Sequence, residues 1–414
     1  MNSTPLRRVA VTGLGIISSL GNNRRDFFDN LMAGKSGIRR ISSDFPCQLS
    51  GKIAAQITLD SAECFSKKQM GIFDRTDQLA LIAASQAWND SCIELDDEEK
   101  KRAGVYMGTG MGGSQAVDDL YYQLYKKDAQ KVSPRFVTKI MCNSSASHIS
   151  IQYGLSGPCL TFSIACASSS VSIGEAYRQI KDGYADVILA GGTESLLTYG
   201  SFKCWESLRV LAVEDAEDPS TSCRPFSKDR TGFVLGEGAA VLVLEEMEMA
   251  KKRGAKIYGE LIGYGSSADA YHITGPSVAG QAQAIRLALE DARINGDEID
   301  YINAHGTATV MNDVVETQAI KKVFGEMAYK IPVSSTKSMH GHLMGAAGAV
   351  EFVAALLSIK NKAIPPTANL KIPDPECDLD YVPQHGRAGV KVKTVMSNSF
   401  AFGGTNAVII AREV

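Results

Sequence analysis

The sequence predicts an α/β layered fold made of two similar halves. Two patterns carry this: short β-rich runs alternate with helical stretches, and the second half repeats motifs of the first in order. At 414 residues the chain is long enough for two domain-sized units sharing a large core.

In the first half the strand candidates are "RRVAVTGLG", "RAGVYMGTG", "LTFSIAC", "DVILAGG" and "AAVLVLE". In the second half they are "YGELIGYG", "IDYINAHGT", "IPVSSTK", "KTVMSNSF" and "NAVIIARE". Between them, "RTDQLALIAASQAWND", "SIGEAYRQIKDG", "GQAQAIRLALEDARI" and "GAVEFVAALLSIK" space apolar residues at helical intervals. Apolar strands alternating with helices imply sheets covered on both faces. The repeat pairs "TGLGIISSLG" with "IGYGSSADA", "CASSSVSIGEAYRQI" with "HLMGAAGAVEFVAALLSI", and "GEGAAVLVLEE" with "GGTNAVIIARE". A boundary at the charged "MAKKRGAK" gives halves 1–252 and 253–414.

Composition narrows the function classes. Charged residues make up 21% and the formal net charge is −3, which argues against a global nucleic-acid or membrane footprint but leaves room for a local basic patch. The nine cysteines, at 47, 64, 92, 142, 159, 166, 204, 223 and 377, contain no C-x-x-C pair. Neither a disulfide framework nor a zinc ribbon is implied, and a reducing, cytoplasmic setting fits. The Arg pair and apolar stretch near the start, broken by Gly and Ser, read as a strand and turn rather than a targeting signal. No run suggests the roughly 20 apolar residues of a membrane span.

Several unusual stretches fall where a strand hands over to a loop or helix: Cys166, "GGTES", "NAHGTAT", "TKSMHGH" and "NSFAFGG". Such loops are where α/β folds place ligands. Cys166 ends a strand pattern and opens a small-residue helix. There the helix dipole favours thiolate, and backbone N–H groups are available to an oxyanion. By itself the residue reads equally as a small buried hydrophobe. Of six histidines, His305 and His342 share the strand-end setting, with Lys337 as the neighbouring cation, whereas His148 and His385 read as structural. His340 and His342 form an H-x-H pair without the further ligand spacing a zinc site needs, so no metal is expected. "TGLGIISSLG" lacks the downstream acid of a dinucleotide fold and reads as a packing turn.

Together "VTGLGIISSLG", "GTGMGG", "ACASSSVSIGEA", "ILAGGTES", "RPFSKDRTGFVLGEGAAVLVLE", "NAHGTAT", "STKSMHGHLMGAAGAVE" and "NSFAFGGTN" resemble the β-ketoacyl-acyl-carrier-protein synthases, nearly end to end. The Cys-His-His set and "GTGMGG" resemble the elongating synthase II type. The resemblance implies the thiolase fold, a duplicated αβαβα five-layered architecture, as a homodimer. It implies a decarboxylative condensation that extends a fatty acyl chain by two carbons, with acyl carrier protein as partner and no free cofactor.

Residue by residue, it implies Cys166 as nucleophile and His305 and His342 as donors to the malonyl thioester carbonyl. Lys337 would organise them against Glu316 or Glu351, and the N–H groups of Cys166 and Phe402 would form an oxyanion hole. Phe402 would also gate the site, Met111 would line the acyl tunnel, and Thr274, Thr307 and Thr309 would contact the pantetheine. Lys67, Lys68, Lys126, Lys127 and Arg209 would dock the acidic carrier. Three departures bear on gate and pH behaviour: Val310 for a frequent Pro, His340 for a frequent Thr, and Ala401 for the usual Gly. Two other readings compete, a non-condensing partner subunit and a thiolase. The first typically lacks the nucleophile, and the second lacks the "KSMHGH" pattern.

Overall fold

The computed structural model describes residues 7–41, 49 and 51–414. The first six residues and Cys47 lie outside them. The first half supplies strands Val9–Ser18 (β1), Ala103–Gly108 (β2), Cys159–Phe162 (β3), Val187–Glu194 (β4) and Gly238–Glu246 (β5). The second supplies Gly259–Ala268 (β6), Tyr301–Asn303 (β7), Val333–Ser334 (β8), Thr394–Phe400 (β9) and Thr405–Arg412 (β10). Their order is β3-β2-β4-β5-β1-β6-β10-β9-β7-β8. Counted outward from the centre, each half runs first, fifth, fourth, second, third strand. The pairing repeats too. β2 lies parallel to β3 and β4, as β7 does to β8 and β9, and the remaining pairs in each half are antiparallel. The halves join where Val9–Val11 pairs antiparallel with Gly259–Leu261, so the hydrogen-bonded sheet is continuous.

Five main helices complete the layers: Arg75–Ser91 (α1), Ser168–Lys181 (α2), Val278–Ala292 (α3), Val310–Phe324 (α4) and Ala347–Asn361 (α5). α2 and α5 pack on each other and touch strands of both halves, while α1 covers the outside of the first half and α3 that of the second. The result is α on β on α on β on α. α5 shows why it is central: every residue from Ala347 to Ile359 is buried, as an all-round apolar helix requires. The segment Met344–Asn361 is the one helical stretch among the described residues apolar enough to cross a membrane by composition, and 89% of it lies inside the fold. Glycine brings the central helices together. A Cβ at Gly348 would stand 2.0 Å from Ser170 Oγ, and Ser170 hydrogen-bonds Ser399 Oγ at 2.8 Å. On the outside, Asp74 caps α1 in a capping box with Asp77.

One strand departs from the expected burial. β3 is the edge of the sheet, stops at Phe162, and leaves Leu160 47% exposed, although its alternation with Phe162 predicts a buried face. As the end strand it has a neighbour on one flank only, which leaves its side chains less covered than those of inner strands.

Candidate active site

Cys166, His305, His342 and Phe402 all sit on connections that follow strands. Cys166 follows β3, in a tight turn over Ala165–Ala167 that runs straight into α2. Ala165 holds φ +42°, the left-handed conformation that costs a residue with a Cβ and recurs at functional elbows. His305 follows β7, His342 lies between β8 and α5, and Phe402 lies between β9 and β10. Duplication therefore puts the nucleophile's elbow and the His342 loop at the starts of the two central, mutually packed helices.

The Cys166 sulfur stands 3.1 Å from His342 Nε2, and the two imidazole rings are 5.4 Å apart at 82°. The second ring nitrogen of each histidine is already engaged. His342 Nδ1 accepts from the Met344 backbone N–H at 3.2 Å, and His305 Nδ1 lies 3.3 Å from Lys337 Nζ. With a donor on Nδ1, the ring proton of a neutral imidazole resides on Nε2. Both rings thus present Nε2–H to the same space. The Phe402 backbone N–H lies on the same side and helps to hold the Cys166 thiol down. Lys337 is fully buried, donates to the His305 carbonyl at 2.5 Å and pairs with the Glu351 carboxylate. The carboxylate partner is therefore Glu351. Glu316 instead accepts the N–H groups of His305 and Gly306, each at 2.8 Å, and shapes the loop.

Burial corrects one expectation. The helix start favours thiolate, yet Cys166 is 7% exposed and loss of solvation pushes its thiol up to about 12, only partly offset by the Lys337 ammonium and the Phe402 N–H. Burial first, then Lys337, holds His305 and His342 well below the usual imidazole range. The resting site is a neutral thiol facing neutral rings. His340 does not join them. Its Nδ1 donates to the Gly341 carbonyl at 2.8 Å, its Nε2 accepts from Thr336 Oγ1 at 2.9 Å, and burial lowers it to about 3.

Cys166, His305 and His342 have ligating atoms within 4.8 Å of one another, the one such grouping of three among the described residues. Binding a metal through Nε2 would move each ring proton to Nδ1, against the Met344 N–H and the Lys337 ammonium. The ring environments favour donation to oxygen or sulfur over metal ligation.

The site opens into a cavity of about 370 Å³ that also reaches Thr274, Thr307, Thr309, Arg209 and Phe402. Thr307 and Thr309 share a hydrogen bond at 2.8 Å. Met111 is not brought into this cavity and is 51% exposed. Lys67, Lys68, Lys126, Lys127 and Arg209 are all exposed, and none pairs with a described carboxylate.

Two residues escaped the motif reading. Glu194, buried at the end of β4, accepts from Gly110 N–H at 2.5 Å, Met111 N–H at 3.3 Å, Thr109 Oγ1 at 3.2 Å and Gly345 N–H at 3.0 Å. One carboxylate thus ties the first half's strand-end loop to the turn beside His342. Its strand-end "GGTES" was the available signal. Trp205 lines the cavity beside Phe402 and carried no sequence signal beyond being one of two tryptophans.

Two family models match the chain: the Beta-ketoacyl synthase N-terminal domain over residues 6–250 and the C-terminal domain over residues 258–371. Among similar proteins, 3-oxoacyl-[acyl-carrier-protein] synthase 2 of Coxiella burnetii is 44% identical, with 99% of each chain covered. Nodulation protein E of Rhizobium leguminosarum bv. trifolii is 43% identical over 99% of this chain and 100% of its own. A β-ketoacyl synthase structure from Burkholderia phymatum superposes with a TM-score of 0.91 at 36% identity, covering 99% of this chain and 100% of that one. A ketosynthase solved with a type II PKS acyl-carrier protein and hexaketide gives the same TM-score at 34% identity and the same coverage. With matching models over both halves and relatives spanning its full length, the chain belongs to the β-ketoacyl synthase family.

Proposed function

We propose that the chain is an elongating β-ketoacyl-acyl-carrier-protein synthase of fatty-acid biosynthesis, with the 1–252 half carrying the nucleophile and the 253–414 half the histidines. Cys166 attacks the thioester carbonyl of an acyl group on the carrier's pantetheine. The new C–S bond replaces the old one, and the thiol proton leaves with the pantetheine sulfur. The Phe402 and Cys166 N–H groups receive the tetrahedral oxyanion. A malonyl thioester then enters past Thr274, Thr307 and Thr309, with its carbonyl oxygen between the Nε2–H groups of His305 and His342. The C–C bond to the carboxylate breaks, CO₂ leaves, and its electron pair becomes an enolate held by those two donors. The enolate carbon attacks the acyl-enzyme, the C–S bond to Cys166 breaks, and the sulfur takes up a proton. Lys337 fixes the His305 tautomer. The prosthetic group arrives on the carrier, so the reaction calls for no free cofactor.

The observation that carries this reading is the His342 Nε2–H at the Cys166 sulfur with the His305 ring beside it, each imidazole having a donor on Nδ1. Exposed Lys67, Lys68, Lys126, Lys127 and Arg209 suit docking of an acidic carrier. The open edge of β3, with Leu160 exposed, suits strand pairing with a second copy in a homodimer, and Met111 would line the acyl tunnel. A cytoplasmic location accords with the free thiols of the described cysteines.

Intact mass after incubation with a medium-chain acyl-carrier protein tests the proposal. One acyl mass should appear on the parent protein and be absent from Cys166→Ala. No adduct on folded protein with verified carrier would favour a non-condensing partner subunit instead.

A further inference from the structure

We infer that Trp205 is a positioning residue for the gating loop, its indole holding the Phe402 ring closed beside Cys166. This rests on the reading of Phe402 as a gate. Trp205 sits on the helix Tyr199–Ser207 and faces the cavity that contains Cys166. Its ring centroid is 6.1 Å from that of Phe402 at 35°, within the range over which aromatic pairs attract. On another side it meets Phe233 edge-on at 5.6 Å and 78°. Phe233 is 3% exposed and pinned through its backbone to Val210 and Ala212, and its ring meets His342 at 5.3 Å. Trp205 is therefore a wall braced against the catalytic centre.

The Phe402 loop is built to move against that wall. Gly403 has φ +88° and Gly404 φ +74°, conformations open to glycine, and a Cβ at Gly403 would meet nothing within 4 Å. On the outer side the loop is tied by Gly403 N–H to the Ile273 carbonyl at 2.7 Å, and Ile273 is itself 71% exposed. On the inner side Phe402 leans on Trp205. Opening the route to Cys166 requires the two rings to part. The strength of their contact then sets how often the thiol is accessible, and Ala401, less permissive than glycine, concentrates the motion on the two residues after the ring.

Two readouts test this. The chain has two tryptophans, and Trp88 stacks on Tyr153 at 4.6 Å, outside the site. In a Trp88→Phe background, Trp205 emission should change when Cys166 is acylated from an acyl-carrier protein and stay constant in the same background with Cys166→Ala. Iodoacetamide alkylation, mapped by mass to the Cys166 peptide, should be roughly 2- to 10-fold faster in Trp205→Leu, the loss of one aromatic pair, and near the parental rate in Trp205→Phe. Parental alkylation in Trp205→Leu while Phe402→Ala reacts faster would overturn the inference and leave the gate standing. No acceleration in Phe402→Ala would remove the gate itself. Should Trp205→Leu melt early, the emission experiment, which leaves Trp205 intact, decides: a change supports the contact, and constancy refutes it.

Discussion

Replacing Lys337 by methionine separates the two chemical steps of the proposed reaction. Methionine is likewise unbranched and only one atom shorter, so packing changes little while the charge and three donors vanish. Lys337 and Glu351 are both fully buried, so the variant strands a carboxylate without its cation. Breaking such a pair costs about 3–5 kcal/mol when the remaining group stays charged. Glu351 can escape that cost by protonation, because burial already raises it to about 7 with the ammonium present. A carboxyl raised in the folded state destabilises as pH climbs through its folded value. The variant should therefore be near parental stability at pH 6 and clearly weaker at pH 8.

The catalytic effect follows from the tautomer. Without Lys337 Nζ 3.3 Å from His305 Nδ1, the ring proton is free to move to Nδ1, and one of the two donors to the enolate is lost. Loss of one such donor costs about 10²–10³ in rate, or roughly 2.7–4 kcal/mol. Acyl loading should fall less: the Cys166 thiol loses the Lys337 ammonium that helps to hold it down, but the His342 Nε2–H still faces the sulfur. Acyl-enzyme formation by intact mass and CO₂ release from malonyl-carrier protein read the two steps separately. Equal losses in both would refute the assignment of Lys337 to His305.

Further outcomes follow from burial, packing and charge. Alkylation of Cys166, resolved by mass from that of the exposed cysteines, should rise about tenfold per pH unit from pH 7 to beyond 9, and a plateau below pH 8 would show that burial does not control the thiol. Gly348→Ala puts a methyl 2.0 Å from Ser170 Oγ and should cost about 1–3 kcal/mol or more in thermal unfolding; adding Ser170→Gly should restore part of it, and strict additivity of the two would refute the clash. Lys67→Glu with Lys68→Glu should raise the apparent carrier KM, more at low than at high salt, with kcat preserved. An unchanged KM at low salt would remove these residues from the docking surface.

Much was legible in the residues. Period-two and helical spacings mark the main strands and helices because one covalent pattern faces water and the other a neighbouring layer. The duplication shows because the two halves solve the same packing problem with similar residues, and the small-residue starts of α2 and α5 record their close approach. Chemistry-bearing types at strand ends, Cys166, His305, Lys337 and His342, stand out for the same reason: nothing in a core asks for them there.

What the tertiary structure decided lies between segments. The choice of Glu351 over Glu316 for Lys337 depends on which helix faces the loop, and sequence distance carries no such information. The proton positions on His305 and His342 follow from donors supplied by Lys337 and the Met344 backbone. Cys166 lies at a helix start, as the residues indicate, but its ionisation is governed by how completely the two halves exclude water from it. Glu194 and Trp205 gain their places only when loops from distant parts of the chain meet. Local sequence sets backbone habit and chemical type; desolvation and long-range contact, which set proton affinity and geometry, exist only after the halves have folded onto each other.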